Sequence, residues 1–273
     1  MKKIFAITKE DLFDKKWFLL SLGVLVGLLG WYLIAFLGTY DLSALQAYLD
    51  SLPAELRGLL GQLDVANPYS LFNAYFFMFL WLYCGVFLVY MASSLVPQEV
   101  ENNTIDLVLS KPVSREKYLT GKIGFIYIFT ACLMGLILMF VAVGMGSSSM
   151  FIEAGLHWER LVALFLAATL HLGTLAMTAF LFSTVFLSTK KTLAAAVITM
   201  FIMFFMGGSY GTAGATLSNP LRYASTWFYY NPAQYFGTGN FSGFLGDVLV
   251  LLAVNVGLII ASLIVFRKKD IPV

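Results

Sequence analysis

Long intervals without a charged residue constrain this chain more than any other feature of its sequence. Seven intervals of 19 or more residues contain no Asp, Glu, Lys or Arg. A helix needs about 20 consecutive, mostly apolar residues to cross the hydrocarbon core of a membrane. One interval, 223–246, contains Asn231, Pro232, Gln234 and four glycines, and such a backbone would be poorly satisfied against lipid. The other intervals predict six spanning helices, at about 17–38, 72–95, 123–145, 160–187, 193–210 and 246–266.

The amino-acid composition also indicates that much of the protein surface faces lipid. Of the 273 residues, 60% are hydrophobic and 12% are charged, whereas a soluble domain has roughly 45–50% apolar and about 25% charged residues. The net charge of +2 is not clustered into the basic face that nucleic-acid binding requires. The sequence therefore predicts an all-α integral membrane protein, with residues 1–273 forming a single transmembrane domain and no nucleic-acid partner.

The basic residues predict the orientation of the chain. If the N-terminus is cytoplasmic, 14 of the 17 Lys and Arg residues flank the spans on the inner side and 3 on the outer side. Cytoplasmic loops of membrane proteins carry such an excess of Lys and Arg. Both termini are therefore expected in the cytoplasm.

Two segments outside the spans have patterns of their own. Residues 3–16 mix Ile, Leu and Phe with charged residues, which favours a helix lying in the inner membrane interface. Residues 211–245 surround an aromatic cluster, 227–230, with glycine-rich stretches. Aromatic side chains favour the headgroup level, and glycine-rich backbone at membrane depth must be buried in protein. This segment predicts a re-entrant or interfacial hairpin before span six.

One inner connection, 97–122, is long enough to present a shaped surface. Glu99, Glu101 and Asp106 lie before or within a short apolar helix predicted over 104–110, and basic residues follow it. Such a helix can dock in a partner's groove, with apolar residues giving affinity and charges fixing the register. A solvated loop is the alternative, and composition alone favours neither.

The order of residues in this connection resembles the permeases of type 2 ATP-binding-cassette (ABC) exporters. That family has a Glu-rich stretch, a Gly-Thr-Leu-Glu-like turn and a Pro-Val-Ser-Arg run at this position. The matching residues are, in order, Glu99, Thr104, Leu107, Leu109-Ser110, Pro112-Val113-Ser114-Arg115 and Gly121-Lys122. The six-span layout and the Asn-Pro aromatic region also match. Asn103 stands where the family usually has glycine, and asparagine tolerates left-handed backbone.

The resemblance implies a membrane permease in which residues 97–110 contain a coupling helix that docks onto a separate nucleotide-binding ATPase. It implies two copies of that ATPase and a second copy of the permease, as a homodimer, in the bacterial cytoplasmic membrane. ATP and magnesium are expected on the partner, with no cofactor bound by this chain. The residues expected to couple the chain to the ATPase are Glu99, Glu101, Thr104, Ile105, Asp106, Leu107, Leu109, Pro112 and Arg115.

No catalytic or metal site is expected in this chain. Gly121-Lys122 lacks the phosphate-loop pattern, because Glu116 and Ile123 occupy the positions of its glycine and its Ser or Thr. His157 and His171 have no neighbours at metal-ligand spacing. Apart from Asp247, at the edge of the sixth, the predicted spans contain no carboxylate or lysine, which argues against a proton- or sodium-coupled transporter. The sequence therefore predicts a permease that is not itself an enzyme and takes its energy from a partner.

The few polar side chains inside the spans are candidates for a substrate path. Packing between helices is their ordinary explanation; the residues considered for substrate contact are Asn73, His171, Thr174 and Thr178. A path walled by Phe, Leu and Met suits the export of an amphipathic or lipophilic cargo, such as a hydrophobic peptide, a lipid-like molecule or a drug. Two alternatives stay open: a membrane scaffold or sensor that binds an ATPase without translocating, and an integral-membrane enzyme.

Overall fold

The computed structural model describes residues 2–39, 66–104, 114–207 and 220–269, together with the single positions 44, 47 and 51. Six of its helices are long and apolar enough to cross a membrane, which confirms the six predicted spans. The last predicted residues of span 5, 208–210, lie outside the described residues. We number the spans 1 to 6 in chain order: Lys16–Leu37, Pro68–Glu101, Arg115–Ser147, Trp158–Phe186, Thr189–Gly207 and Phe244–Lys268.

Span 2 is not one continuous α-helix. Asn67 caps its start by accepting a hydrogen bond from the Tyr69 N–H at 3.0 Å, and Pro68 occupies the first turn, where a missing N–H costs nothing. The helical pieces that follow are an α-helix Pro68–Tyr75, a 3₁₀ turn Phe77–Phe79, a π turn Trp81–Gly85, and α-helices Val86–Ser94 and Pro97–Glu101. The backbone therefore changes pitch twice near the middle of the span.

Span 1 packs closely against span 3 because glycines face it. A Cβ atom on Gly23 would lie 2.6 Å from Cδ2 of Leu136, and one on Gly27 would lie 2.6 Å from Cδ2 of Phe140. Such distances are too short for carbon atoms in contact. Glycine at these two positions therefore permits the close approach of the two helices.

We expect Gly27→Ala to lower the free energy of unfolding by about 1–3 kcal/mol, because the added methyl group overpacks the contact with Phe140. Gly257→Ala in span 6 is the matched control, since a Cβ there meets no atom within 4 Å. That control should be neutral or stabilising by up to about 1 kcal/mol, the helix preference of alanine over glycine. Unfolding by titration with sodium dodecyl sulfate measures both, and equal shifts would contradict the expectation.

Span 4 occupies the centre of the bundle. It packs against spans 2, 3, 5 and 6, whereas spans 5 and 6 have little contact with each other in the described ranges. Both of those spans expose large apolar side chains, including Phe205 at 75% and Leu245 at 70%. Span 6 is therefore attached to the described part of the molecule mainly through span 4, whereas span 5 packs on both span 4 and span 2.

Two shorter segments lie beside the spans, and a short helix, Ser149–Glu153, connects spans 3 and 4. The N-terminal helix Lys2–Asp14 packs against the start of span 3, where the Thr8 hydroxyl donates to the Gly121 carbonyl at 2.8 Å. Before span 6, the chain forms a 3₁₀ turn Pro220–Ala224 and a π turn Ala233–Gly237. Residues 211–219 of the predicted hairpin lie outside the described residues.

Candidate functional site

A buried ionic cluster joins three elements at the end of the molecule that holds the N-terminal helix. The Lys122 Nζ atom lies 2.9 Å from Asp11 Oδ1 and 2.6 Å from Glu99 Oε1. Lys122 is only 5% exposed, and the Tyr118 hydroxyl donates to Glu99 Oε2 at 2.7 Å. We call Asp11, Glu99, Tyr118 and Lys122 the lysine cluster. It connects the N-terminal helix, the last turn of span 2 and the first turns of span 3.

The charges of the lysine cluster depend on one another. Burial raises the pKa of the Asp11 carboxyl above its ordinary value, and the Lys122 ammonium acts in the opposite direction. Each ion is costly to remove from water, and the attraction between them offsets that cost only while all partners are present. Lys122 therefore holds two carboxylates that would otherwise repel each other.

Glu101 connects the same helix, Pro97–Glu101, to span 5. Its carboxylate accepts hydrogen bonds from the Thr189 N–H at 2.9 Å and from the Thr189 hydroxyl at 2.8 Å. Thr189 is the first residue of span 5, and a carboxylate is favourable at a helix N-terminus because the free N–H groups there are positively polarised. Glu101 therefore acts as an N-terminal cap supplied by another helix.

A tight turn ends the helix Pro97–Glu101. The Thr104 N–H and the Thr104 hydroxyl both donate to the Glu99 carbonyl, at 2.9 and 3.2 Å. Asn103 has a φ of 54°, a left-handed conformation that asparagine adopts more easily than most residues. The chain therefore turns at the position where the resembled family has glycine, and asparagine makes this turn.

The start of span 3 also contacts the end of span 6. Arg115 donates from Nη1 to the Lys269 carbonyl at 2.9 Å, and Lys269 donates from Nζ to the Val185 carbonyl at 2.8 Å. Glu116 and Arg267 form a pair at 3.6 Å that is largely exposed on both sides. Spans 3, 4 and 6 thus meet at the same end of the bundle as the lysine cluster.

Four of the nine residues predicted to couple the chain to a partner are among the described residues. Glu99 and Glu101 direct their carboxylates to other elements of this chain, and Thr104 and Arg115 also bond within it. The other five lie outside the described residues: Ile105, Asp106, Leu107, Leu109 and Pro112. The described contacts give the two glutamates an internal role that the sequence did not suggest.

Sequence reasoning missed Asp11, Lys122 and Thr189 as members of this site. Asp11 lies 111 residues from Lys122, and no local pattern reports a pair so distant in sequence. One signal was present, because Asp11 follows Ile7 and Thr8 at helical spacing on the face that packs against span 3. A carboxylate on the buried face of an amphipathic helix requires a cation opposite it.

Two of the predicted substrate-path residues, Thr174 and Thr178, line a cavity of about 140 Å³ between spans 4, 5 and 6. The wall is held by a polar network, in which the Asn255 amide donates to Thr174 Oγ1 at 2.8 Å. The Tyr127 hydroxyl in turn donates to Asn255 Oδ1 at 2.6 Å. Spans 3, 6 and 4 are therefore connected in that order by hydrogen bonds.

The other two predicted path residues, His171 and Asn73, are buried and do not line this cavity. The His171 ring is stacked on Tyr230, with centroids 4.5 Å apart and planes within 4°, and it meets the edge of Trp227. The position of His171 therefore indicates that it packs the segment before span 6 against span 4. Across the described ranges, no three His, Cys, Asp or Glu side chains are grouped as a metal ion would need.

At the end of the bundle opposite the lysine cluster, Arg160 attaches the segment before span 6 to spans 2 and 4. Arg160 donates from Nη1 to the carbonyls of Phe236 and Gly237 at 3.2 and 3.3 Å. Its guanidinium carbon lies 4.4 Å from the centroid of the Tyr69 ring, and the Asn67 amide donates to the Gly237 carbonyl at 3.0 Å. We call these five residues the arginine latch. They fix the π turn Ala233–Gly237 against two spans.

Comparison with known protein families identifies the family of this chain. A family model described as "ABC-2 family transporter protein" matches residues 49–267, a range that contains spans 2 to 5 and nearly all of span 6. Lys122, Glu99 and Glu101 fall within it, whereas Asp11 precedes it. A search among curated proteins finds no match.

Proposed function

This chain belongs to the ABC-2 family of transporter proteins, and from that premise we propose that it couples ATP hydrolysis on a separate subunit to the export of an amphipathic or lipophilic cargo. Its family and its six apolar helices make it a multi-pass transmembrane permease of an ABC transporter. The family also implies an ATPase partner. The direction of transport, the cargo and the coupling are our proposal.

The proposed assembly contains two copies of this permease and two ATPase subunits in a bacterial cytoplasmic membrane. Both termini lie in the cytoplasm, as the excess of basic residues on that side supports. The N-terminal helix lies in the inner interface, where its exposed Phe5 and Phe13 contact lipid. ATP and magnesium bind to the partner, and residues 1–273 act as one transmembrane domain.

One observation carries the coupling proposal: the two carboxylates of the helix Pro97–Glu101 contact two other spans directly and the N-terminal helix through Lys122. Glu99 bonds to Lys122 of span 3, which also binds the N-terminal helix through Asp11. Glu101 bonds to the first residue of span 5. A force on the adjoining segment 104–113 therefore acts on spans 2, 3 and 5 together, through contacts that join them directly.

The mechanism that follows is mechanical. Closure of the ATPase subunits around nucleotide displaces the segment 97–110, and the attached spans shift with it. This shift opens a path for cargo between the two permeases. Thr174 and Thr178 offer hydroxyl groups to the cargo in an otherwise apolar wall. Asn73 and His171, the other candidates for the path, are buried and do not line this cavity.

Reordering residues 104–109 while keeping their composition tests the coupling. We expect the variant to lose co-purification with the ATPase and at least about tenfold of the cargo-stimulated hydrolysis, because a docking segment contributes apolar contacts and register charges together. Its thermal midpoint should stay unchanged, since the lysine cluster is intact. Glu99→Ala is a poorer test, because Glu99 also holds Lys122.

The matched control reorders the last four residues, 270–273, which are expected on the same side of the membrane and combine a charge with apolar residues. This control should retain ATPase binding and transport. Normal co-purification and normal transport after reordering of 104–109 would refute the coupling proposal. If the wild-type chain binds the ATPase but no cargo stimulates ATP hydrolysis by the complex, the result would instead support a membrane scaffold or sensor.

A further inference from the structure

The cavity between spans 4, 5 and 6 is lined by threonines in an apolar setting. Spans 5 and 6 pack on span 4 with little contact between their described parts, and this arrangement leaves the space of about 140 Å³. The polar side chains at its wall are Thr174, Thr178, Thr199 and Thr226, and Met200 and Met203 are among its apolar lining. Four hydroxyl groups around one membrane cavity need an explanation beyond apolar packing.

Three of these hydroxyl groups already use their hydrogen atom. Thr174 donates to the Leu170 carbonyl, Thr178 to the Thr174 carbonyl and Thr199 to the Ala195 carbonyl, each at 2.8 Å. A hydroxyl that donates in this way keeps oxygen lone pairs that can accept, and the Thr174 oxygen already accepts one hydrogen bond from the Asn255 amide. The cavity wall therefore offers hydrogen-bond acceptors, and a complementary ligand is one that donates.

The fourth hydroxyl, on Thr226, has no hydrogen bond to any described residue, although Thr226 is only 7% exposed. Hydroxyl groups of residues inside a protein are normally hydrogen-bonded. Thr226 lines the cavity together with the three acceptor hydroxyls. Thr226 therefore adds to the cavity wall a hydroxyl group that has no hydrogen bond to a described residue.

Charge and size limit what this cavity can hold. None of the described lining residues is charged, and an unpaired charge at membrane depth is expensive, so the ligand is neutral. The volume of about 140 Å³ is close to that of an engineered apolar cavity of about 150 Å³ that binds benzene. One aromatic ring or a short hydrocarbon segment with a small polar group matches this volume.

We propose that this threonine cavity binds an uncharged amphiphile through a hydrogen-bond-donating hydroxyl or amide group. The flexible Met200 and Met203 side chains accommodate the apolar part of such a ligand. The use of the cavity as a cargo site rests on the proposed function, whereas binding itself is a property of this chain alone.

Photolabelling of the full chain in phosphatidylcholine vesicles tests the proposal. The two probes are a benzyl alcohol that carries an aryl diazirine and its methyl ether, which lacks the donor hydrogen. Labelling at Met200 and Met203 is measured by peptide mass spectrometry, relative to labelling at Leu25, whose side chain is 65% exposed. We expect about fivefold more normalised labelling by the alcohol, since a net hydrogen bond contributes about 1 kcal/mol.

Thr178→Val should bring alcohol labelling down to the level of the ether, and Thr199→Val gives a second variant with the same expectation. Thr130→Val is the matched control. Thr130 is a fully buried threonine of span 3 whose hydroxyl also donates to the carbonyl four residues earlier, at 2.8 Å from Ile126, but it does not line the cavity. This control should keep the preference for the alcohol.

Equal labelling by the two probes, or loss of the preference in Thr130→Val as well, would overturn the proposal whatever the chain transports. The cargo role has a separate readout, stimulation of ATPase activity in the assembled complex by benzyl alcohol. If labelling shows the preference and hydrolysis does not respond, the binding site stands and its use as a cargo site is refuted.

Discussion

Lys122→Met is expected to lower the free energy of unfolding by about 3–5 kcal/mol, because it leaves two largely buried carboxylates without their shared cation. Because methionine has a volume similar to that of lysine, the loss of unfolding free energy comes from the missing charge and not from a cavity. The effect should also separate the N-terminal helix from span 3, since Asp11 then faces Glu99 without compensation. Equilibrium unfolding in mixed micelles measures the stability, and limited proteolysis at residues 2–14 measures the separation.

Two comparisons test whether the loss of stability in Lys122→Met comes from the unpaired carboxylates of the lysine cluster. Arg267→Met breaks the exposed pair with Glu116, whose side chains are 76% and 58% exposed, and should cost no more than about 1 kcal/mol. Adding Asp11→Asn and Glu99→Gln to Lys122→Met removes the stranded charges and should recover most of the stability. Equal losses for Lys122→Met and Arg267→Met would contradict the assigned role of the cluster.

Arg160→Met is expected to release the π turn Ala233–Gly237 from spans 2 and 4. The substitution removes two charge-assisted hydrogen bonds and a cation–π contact with Tyr69, for a local cost of about 2 kcal/mol. Amide exchange in this turn should then accelerate about 30-fold, since local opening sets the exchange rate. The informative amides are those of Thr238 and Asn240, which donate to the carbonyls of Ala233 and Gln234.

Arg222→Met is the matched control for the arginine latch. Arg222 lies in the same segment before span 6, but the described residues that its guanidinium meets, Tyr223 and Phe228, are close to it in sequence. Its loss should leave exchange at Thr238 and Asn240 within about twofold of the wild type, as expected of a surface substitution. If both variants accelerate exchange alike, the latch is not what holds the turn.

The positions of the spans could be predicted because lipid imposes a long apolar interval on every crossing helix. The intervals at 17–38 and 246–266 correspond to helices Lys16–Leu37 and Phe244–Lys268, and the flanking charges mark where each helix can leave the apolar layer. The pitch changes of span 2 could not be predicted. They depend on how the side chains of that span meet the neighbouring helices, and no residue pattern along one helix contains that information.

The contacts of the candidate site could not be predicted from the sequence. The charges around 97–122 indicated a surface for a partner, and the sequence gives no means of telling an exposed glutamate from one paired across the bundle. Glu99 proved to be paired with Lys122 and Glu101 with Thr189. Thr174 and Thr178 are predictable as polar residues inside a span, but the cavity beside them depends on the packing of spans 5 and 6 on span 4.

The two pitch changes in span 2 affect how related sequences are aligned and how helical wheels of this span are drawn. In the 3₁₀ turn the Leu80 N–H donates to the Phe77 carbonyl, and in the π turn the Val86 N–H donates to the Trp81 carbonyl. The angular step between neighbouring residues is therefore first larger and then smaller than the 100° of a helical wheel. A single wheel drawn through 68–94 mixes two coordinate frames, and faces of span 2 must be assigned separately for 68–75 and 86–94. An inserted or deleted residue between them would change the rotation of one half relative to the other without altering the apolar composition by which the span is recognised.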